Sequence, residues 1–134
     1  MESEQKFVLK LIYELDGVEG RTKLQKLIFL GEMELGLKEV FSFDKHHYGP
    51  YSWHLTEVIE DLVASGYLKE EIIMKGEHIS YIYTPTKKVD KLQLEEIKIP
   101  SSTISTLRKV KALPLGIILS YVYGKYLPER VAVL

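Results

Sequence analysis

Cysteine is absent from the 134 residues. Its absence removes disulfides, thiolate nucleophiles and cysteine-ligated zinc together, and suits a reducing compartment. Asparagine is absent too, and 28% of the residues are charged, a bias seen where thermolabile side chains are avoided, so a thermophilic source is expected. Neither sign of charge dominates. Eighteen Lys and Arg face nineteen Asp and Glu for a net charge of -1, so no whole-molecule field draws the chain to nucleic acid or acidic membranes, and any binding patch must be local. Long hydrophobic runs are missing as well. The most apolar stretch, Leu113 to Leu127, is broken by Pro114, Gly116, Gly124 and Lys125 and falls short of the roughly 20 residues a membrane span needs. The opening residues Met1 to Lys6 are polar and lack the apolar core of a signal peptide. The expectation is a cytoplasmic protein with no membrane partner, built as a single domain over residues 1–134.

What is present is a clear order of elements. Phe7, Val8, Leu11, Ile12 and Leu15 recur at helical spacing until Asp16-Gly17 stops them. A second helix is predicted from Gly20-Arg21-Thr22, with Thr22 as its cap, Leu24, Leu27, Ile28 and Leu35 on one stripe, and Gly36 at its end. Val40 to Tyr48 reads as a short strand, and Gly49-Pro50 as a sharp corner. From Ser52 a third helix shows Leu55, Val58, Ile59, Leu62 and Val63 without a gap and ends at Gly66. Two runs rich in isoleucine and tyrosine, Leu68 to Met74 and Ile79 to Thr84, then flank Lys75-Gly76-Glu77-His78 and predict a β-hairpin.

Helix, helix, strand, corner, helix and hairpin predict a mainly α (α+β) winged-helix-type domain. Its core covers about residues 4–85, the hairpin is its wing, and additional C-terminal helices cover about 86–134. Those helices are an amphipathic one carrying Val89, Leu92 and Ile97, a short one capped by Ser102 with Ile104 and Leu107, and a last one opened by Pro114 with Leu115, Ile118, Leu119, Val122, Tyr123 and Tyr126.

Two stretches carry a family resemblance: Thr22-Lys23-Leu24-Gln25-Lys26-Leu27-Ile28-Phe29-Leu30, and Tyr48-Gly49-Pro50-Tyr51-Ser52 leading into the third helix. In content and spacing, over roughly residues 5 to 85, they resemble the YwgA-like and Panacea (SocA-like antitoxin) group of small bacterial and archaeal proteins. The resemblance implies a winged-helix-like domain without known catalysis, some of whose relatives look like antitoxins or adaptors that grip another protein. The corner continues with Tyr51 and Ser52 where Panacea members usually place an aliphatic residue and a second proline, so this chain looks closer to the YwgA side.

Catalytic and cofactor chemistry finds no constellation. His46 and His47 are neighbours on a strand and point to opposite faces, and a His47–His54–carboxylate site lacks the usual ligand spacing. Ser52 beside His54 is better explained as a helix cap than as a nucleophile. Gly17 to Thr22 lacks the Gly-Lys-Ser/Thr ending of a phosphate-cradling loop. The expectation is therefore a non-enzymatic binding module without a cofactor or metal.

Two partners fit such a module. A winged helix ordinarily lays its third helix in the DNA major groove, yet between Tyr51 and Tyr67 this one carries Glu57, Glu60 and Asp61 and no Lys or Arg. The candidate phosphate contacts lie elsewhere, at Arg21, Lys23 and Lys26, at Lys75 and His78 on the hairpin, and at Lys87 and Lys88 after it. For a protein partner the candidates are the aromatic corner, Tyr48, Tyr51 and Trp53, and for a homodimer the last helix, with Leu115, Leu119 and Tyr126, and the apolar Val131 to Leu134. Double-stranded DNA and a protein partner both remain open here, the first favoured by what winged helices commonly do.

Overall fold

In a computed structural model, described over residues 1–46 and 49–126, the chain is α+β. Helix α1 (Ser3–Glu14) buries Phe7, Val8, Leu11 and Ile12 on one side. It stops because Asp16 (φ 61°) and Gly17 (φ 89°) turn left-handed, and the Gly17 amide closes on the Ile12 carbonyl at 3.0 Å. Gly17 is also where the chain passes closest to the sheet, since a Cβ there would lie 3.0 Å from the Tyr83 carbonyl oxygen. That approach delivers strand β1 (Val18–Glu19), which is too short for any periodicity to announce it.

Helix α2 (Arg21–Glu34) begins on Gly20, whose φ of 97° excludes other residues, so the expected Thr22 cap is corrected to a glycine start without a side-chain cap. Its burial also departs from one stripe. Every residue from Leu24 to Gly31 is buried, because α2 runs through the middle of the molecule with neighbours on all sides. Leu37 and Phe41 of the following segment are buried too. Of the strand expected over 40–48, residues 40–43 lie outside any strand and Asp44–His46 form β2, which pairs antiparallel with β3 (Gly49–Tyr51), Lys45 opposite Pro50.

Helix α3 (Trp53–Ala64) matches the expectation closely. The Ser52 hydroxyl accepts from the Leu55 amide, and Leu55, Val58, Ile59 and Leu62 are buried. After Gly66, strands β4 (Leu68–Lys75) and β5 (His78–Pro85) pair antiparallel in one unbroken register, from Leu68 opposite Pro85 to Lys75 opposite His78. Strand β1 adds to the other side of β5, giving the order β1-β5-β4.

The expected amphipathic helix over Val89 to Ile97 is corrected to a single turn, α4 (Lys91–Leu94), capped by the Asp90 carboxylate. Its buried residue is Leu94, whereas Leu92 is 72% exposed. Helix α5 (Ser101–Lys111) starts from Pro100 rather than from a Ser102 cap. Helix α6 (Leu115–Tyr126) follows Pro114 as expected. Leu94, Ile104 and Leu107 join the same core as α1, α2, α3 and the sheet, while Ile118 and Val122 pack on Phe29 and Leu30 of α2 in a smaller cluster. No described helix is long and apolar enough to cross a membrane.

The close approach at Gly31 is testable. A Cβ there would sit 2.3 Å from Leu37 Cδ1 and 2.9 Å from its Cγ, so Gly31→Ala, which ordinarily favours a helix by up to about 1 kcal/mol, is expected to destabilise the fold by about 1–2 kcal/mol through overpacking. Urea unfolding of both chains measures it.

Candidate functional site

The two sequence stretches that carried the resemblance meet in space. Gln25, buried within α2, accepts from the Ser52 amide at 2.9 Å and donates to the Ser52 carbonyl at 2.9 Å, matching both backbone groups of one residue. The same side-chain amide reaches the Thr56 hydroxyl at 3.1 Å, and Thr56 also bonds the Tyr51 hydroxyl at 2.5 Å. Lys26, next along the helix, is fully buried and donates its ammonium to the Pro50 carbonyl at 2.8 Å. Gly49 is the residue that lets them approach: a Cβ there would meet Tyr123 Cε1 at 3.0 Å and Lys26 Cε at 3.2 Å, at a φ of 91°. Burial pushes the Lys26 amine down to about 8. This position is a correction: Lys26 was expected at a phosphate, and it is instead an internal strut under the corner.

Of the other candidate cations, Arg21, Lys23, Lys75 and Lys88 are also engaged. Arg21 donates to the Tyr83 hydroxyl at 2.7 Å and to Glu70 at 3.2 Å, and lies 4.2 Å over the Tyr81 ring. Lys23 donates to the carbonyls of Lys111 and Leu113, each at 2.9 Å, closing the end of α5, and burial lowers its pKa. Lys88 does the same for α3, reaching the Ser65 carbonyl at 2.7 Å over the Tyr67 ring. Arg108 closes α1 through the Glu14 carbonyl at 2.7 Å, joined by Lys111 at the Leu15 carbonyl, and Lys10 bonds the carbonyls of Leu94 and Ile97. Orphan helix carbonyls need such donors. Lys75 holds Glu19 at 2.6 Å, and the charges of Glu19, Lys75 and Lys111 all act on Lys23. His78 and Lys87 are exposed.

The outward side of α3 has the opposite character. Trp53, 60% exposed, stands at its first turn, and Glu57, Glu60 and Asp61 follow on the exposed side at the i, i+4, i+7 and i+8 spacing that shares a helix face. Trp53 packs edge-on against half-buried Tyr51, ring centroids 4.8 Å apart. His54 lies 4.0 Å from Glu4 and 3.8 Å from Glu57, so the local charges around the helix start are acidic. Tyr48 and His47 lie outside the described residues. Among the described residues no three His, Asp or Glu side chains are placed to share a metal ion.

The C-terminal candidates separate. Tyr126 turns inward, its ring 5.0 Å edge-on from Phe29 and its hydroxyl on Glu34. Leu119 is half-buried and Leu115 is exposed. The apolar surface that α6 keeps outward is Leu115, Ile117 and Tyr121, the last two lining an open cleft of about 300 Å³ with Leu30, Leu113 and Val110. Val131 to Leu134 lie outside the described residues.

The uncharacterised protein YwgA of Bacillus subtilis (strain 168) is 36% identical over 88 residues, a span covering 65% of this chain and 52% of YwgA. Over that span, this chain is similar to YwgA. It spans about half the length of that curated relative. No protein-family model matches, and no solved structure matches.

What sequence reasoning missed is that Gln25 and Lys26 are internal. Two polar residues inside an otherwise buried helical run were the available signal, since a buried polar side chain in a stable fold has a specific partner. Gln25→Ala leaves the Ser52 amide unmatched, while the Ser52 carbonyl keeps the Thr56 amide at 3.2 Å, and is expected to cost about 1–3 kcal/mol in chemical unfolding.

Lys26 carries a pH signature. Its folded pKa of about 8 lies below the ordinary 10.5, so between those values the unfolded chain holds a proton that the folded chain does not. The Lys26 contribution to stability therefore rises with pH across that window and is flat below it. Thermal melts from pH 7 to 11 are expected to show this rise in the native chain relative to Lys26→Met.

Proposed function

We propose that this chain is a winged-helix-type, non-catalytic module that binds a protein through the outward face of α3, headed by Trp53 and Tyr51. The order of α3 and the β4–β5 hairpin, with β1 completing the sheet, supports the winged-helix reading. The observation that carries the partner is the charge on α3. In a DNA-reading winged helix this face meets phosphates, and here it offers Glu57, Glu60 and Asp61 where acids are repelled. Meanwhile Arg21, Lys23, Lys26 and Lys88 are bonded to carbonyls, hydroxyls and a carboxylate of the same chain, and Lys75 stays at the surface on Glu19. An exposed tryptophan beside acids suits a partner with an apolar pocket rimmed by basic residues. An antitoxin-like or adaptor-like grip on another protein is the finer form of this reading, supported by the resemblance of the two motifs.

The test has two arms. The full chain used as bait in its native extract is expected to recover a stoichiometric partner that Trp53→Ala releases and that the pair Glu57→Lys, Glu60→Lys weakens at least tenfold. In the second arm, duplex DNA at about 50 mM salt is expected not to bind. Salt-sensitive duplex binding that weakens with Lys75→Ala and Lys87→Ala, together with no recovered protein, would establish the nucleic-acid reading instead.

A further inference from the structure

The β4–β5 hairpin carries a second feature, on its edge. Strand β4 is the outermost strand of the sheet. Its register with β5 contains no bulge, and it contains no proline. Beyond the core, Ile72 and Met74 on β4 and Ile79 on β5 are 64%, 64% and 59% exposed. Ile72 faces Tyr81 and Met74 faces Ile79 across the strands, so these apolar side chains share the sheet face that Leu68 and Tyr83 bury at the base. Edge strands are usually blunted by a proline, a bulge or an inward charge, and the Ile72-Ile73-Met74 segment has none of these.

The turn settles which backbone groups are open. Two residues, Gly76 and Glu77, separate Lys75 from His78, and Gly76 alone of the pair has positive φ, 64°, as a type II′ turn requires. Such a turn makes Lys75–His78 a hydrogen-bonded pair, so Glu70, Ile72 and Met74 aim their N–H and C=O groups away from β5.

We propose that the occupant of this edge is a second copy of the chain, paired antiparallel β4 to β4 about a two-fold axis through Ile73. Charge selects that register. With the axis at Glu70 or Glu71, a glutamate would face its own copy. With the axis at Ile72, Lys69 would face Lys75, and with it at Met74, Glu71 would face Glu77. Centred on Ile73, Glu71 faces Lys75 and Lys69 faces Glu77, each twice by symmetry, while Ile72 faces Met74. No like charges are opposed, and the open groups of Ile72 meet those of Met74. Within one chain Lys69 pairs with Glu71 at 2.8 Å and Lys75 with Glu19 at 2.6 Å; such exposed pairs hold little energy and exchange partners readily. The dimer joins two three-stranded sheets into one and places Ile72, Met74 and Ile79 of both copies on a continuous face. This surface is separate from the α3 face proposed above, and either proposal stands without the other.

Sedimentation of the full chain at micromolar concentration is expected to show a dimer. Glu71→Lys alone, and Lys75→Glu alone, each oppose like charges and are expected to raise the dissociation constant at least tenfold. The double exchange restores the opposite-charge pairing and is expected to return the constant to within about threefold of native. Both positions are exposed, and circular dichroism confirms that each variant is folded. A monomer at about 100 µM, where even a weak specific dimer would form, would overturn the proposal. So would a dimer that Glu71→Lys leaves intact, as one formed through α6 would be, or a double exchange that fails to recover association.

Discussion

The buried contact between α2 and the 49–52 corner is the constraint from which the rest of the arrangement follows. The corner cannot satisfy all of its own backbone, because Pro50 lacks an N–H and β3 has a strand partner, β2, on one side only. Gln25 and Lys26 supply the missing partners from the middle of a helix. Ser52 is thereby held where its hydroxyl caps α3, and the direction of α3 is set by the residue that begins it. The hairpin leaves α3 after Gly66, so its position inherits the same anchor. A lysine amine buried without a carboxylate costs free energy, and its retention at the corner reflects the reach needed to meet Pro50 from α2.

Charge in this protein is sorted by location. Several basic side chains are turned toward the ends of helices, where they meet carbonyls that have no partner within their own helix. The outward side of α3 keeps its acids. A net charge near zero thus conceals an uneven surface, and a whole-chain count could not reveal it.

The parts of the fold with strong local signals were legible in the residues. The stripe of α3, its Ser52 cap and the two hairpin strands follow from spacing and turn chemistry alone, and the left-handed stop at Asp16-Gly17 does as well. Where the reading failed, tertiary context had overridden local preference. Thr22 resembles a cap, but Gly20 is required because the chain leaves β1 with its amide bonded to the Tyr81 carbonyl at 2.6 Å and a φ that other residues resist. Val89, Leu92 and Ile97 have helical spacing, yet Leu92 is exposed, Leu94 is the buried residue, and Val89 and Ile97 pack on the core half-buried from outside the helix, so one turn forms. The candidate site was legible in part. Trp53 and the acids of α3 were recognisable as residues, while Lys26 looked like any surface lysine, because a sequence carries no mark for an ammonium aimed at a carbonyl 24 residues away.

The helix closures made by lysine and arginine also order events in time. Lys23 reaches Lys111 and Leu113, and Arg108 and Lys111 reach back to Glu14 and Leu15, separations of 88 to 96 residues. On the ribosome, the Glu14 and Leu15 carbonyls at the end of α1 therefore stay open to water until α5 has been synthesised. A nascent chain halted before residue 108 carries the hairpin, the corner and the local closure at Gly17, but leaves the Glu14 and Leu15 carbonyls to water.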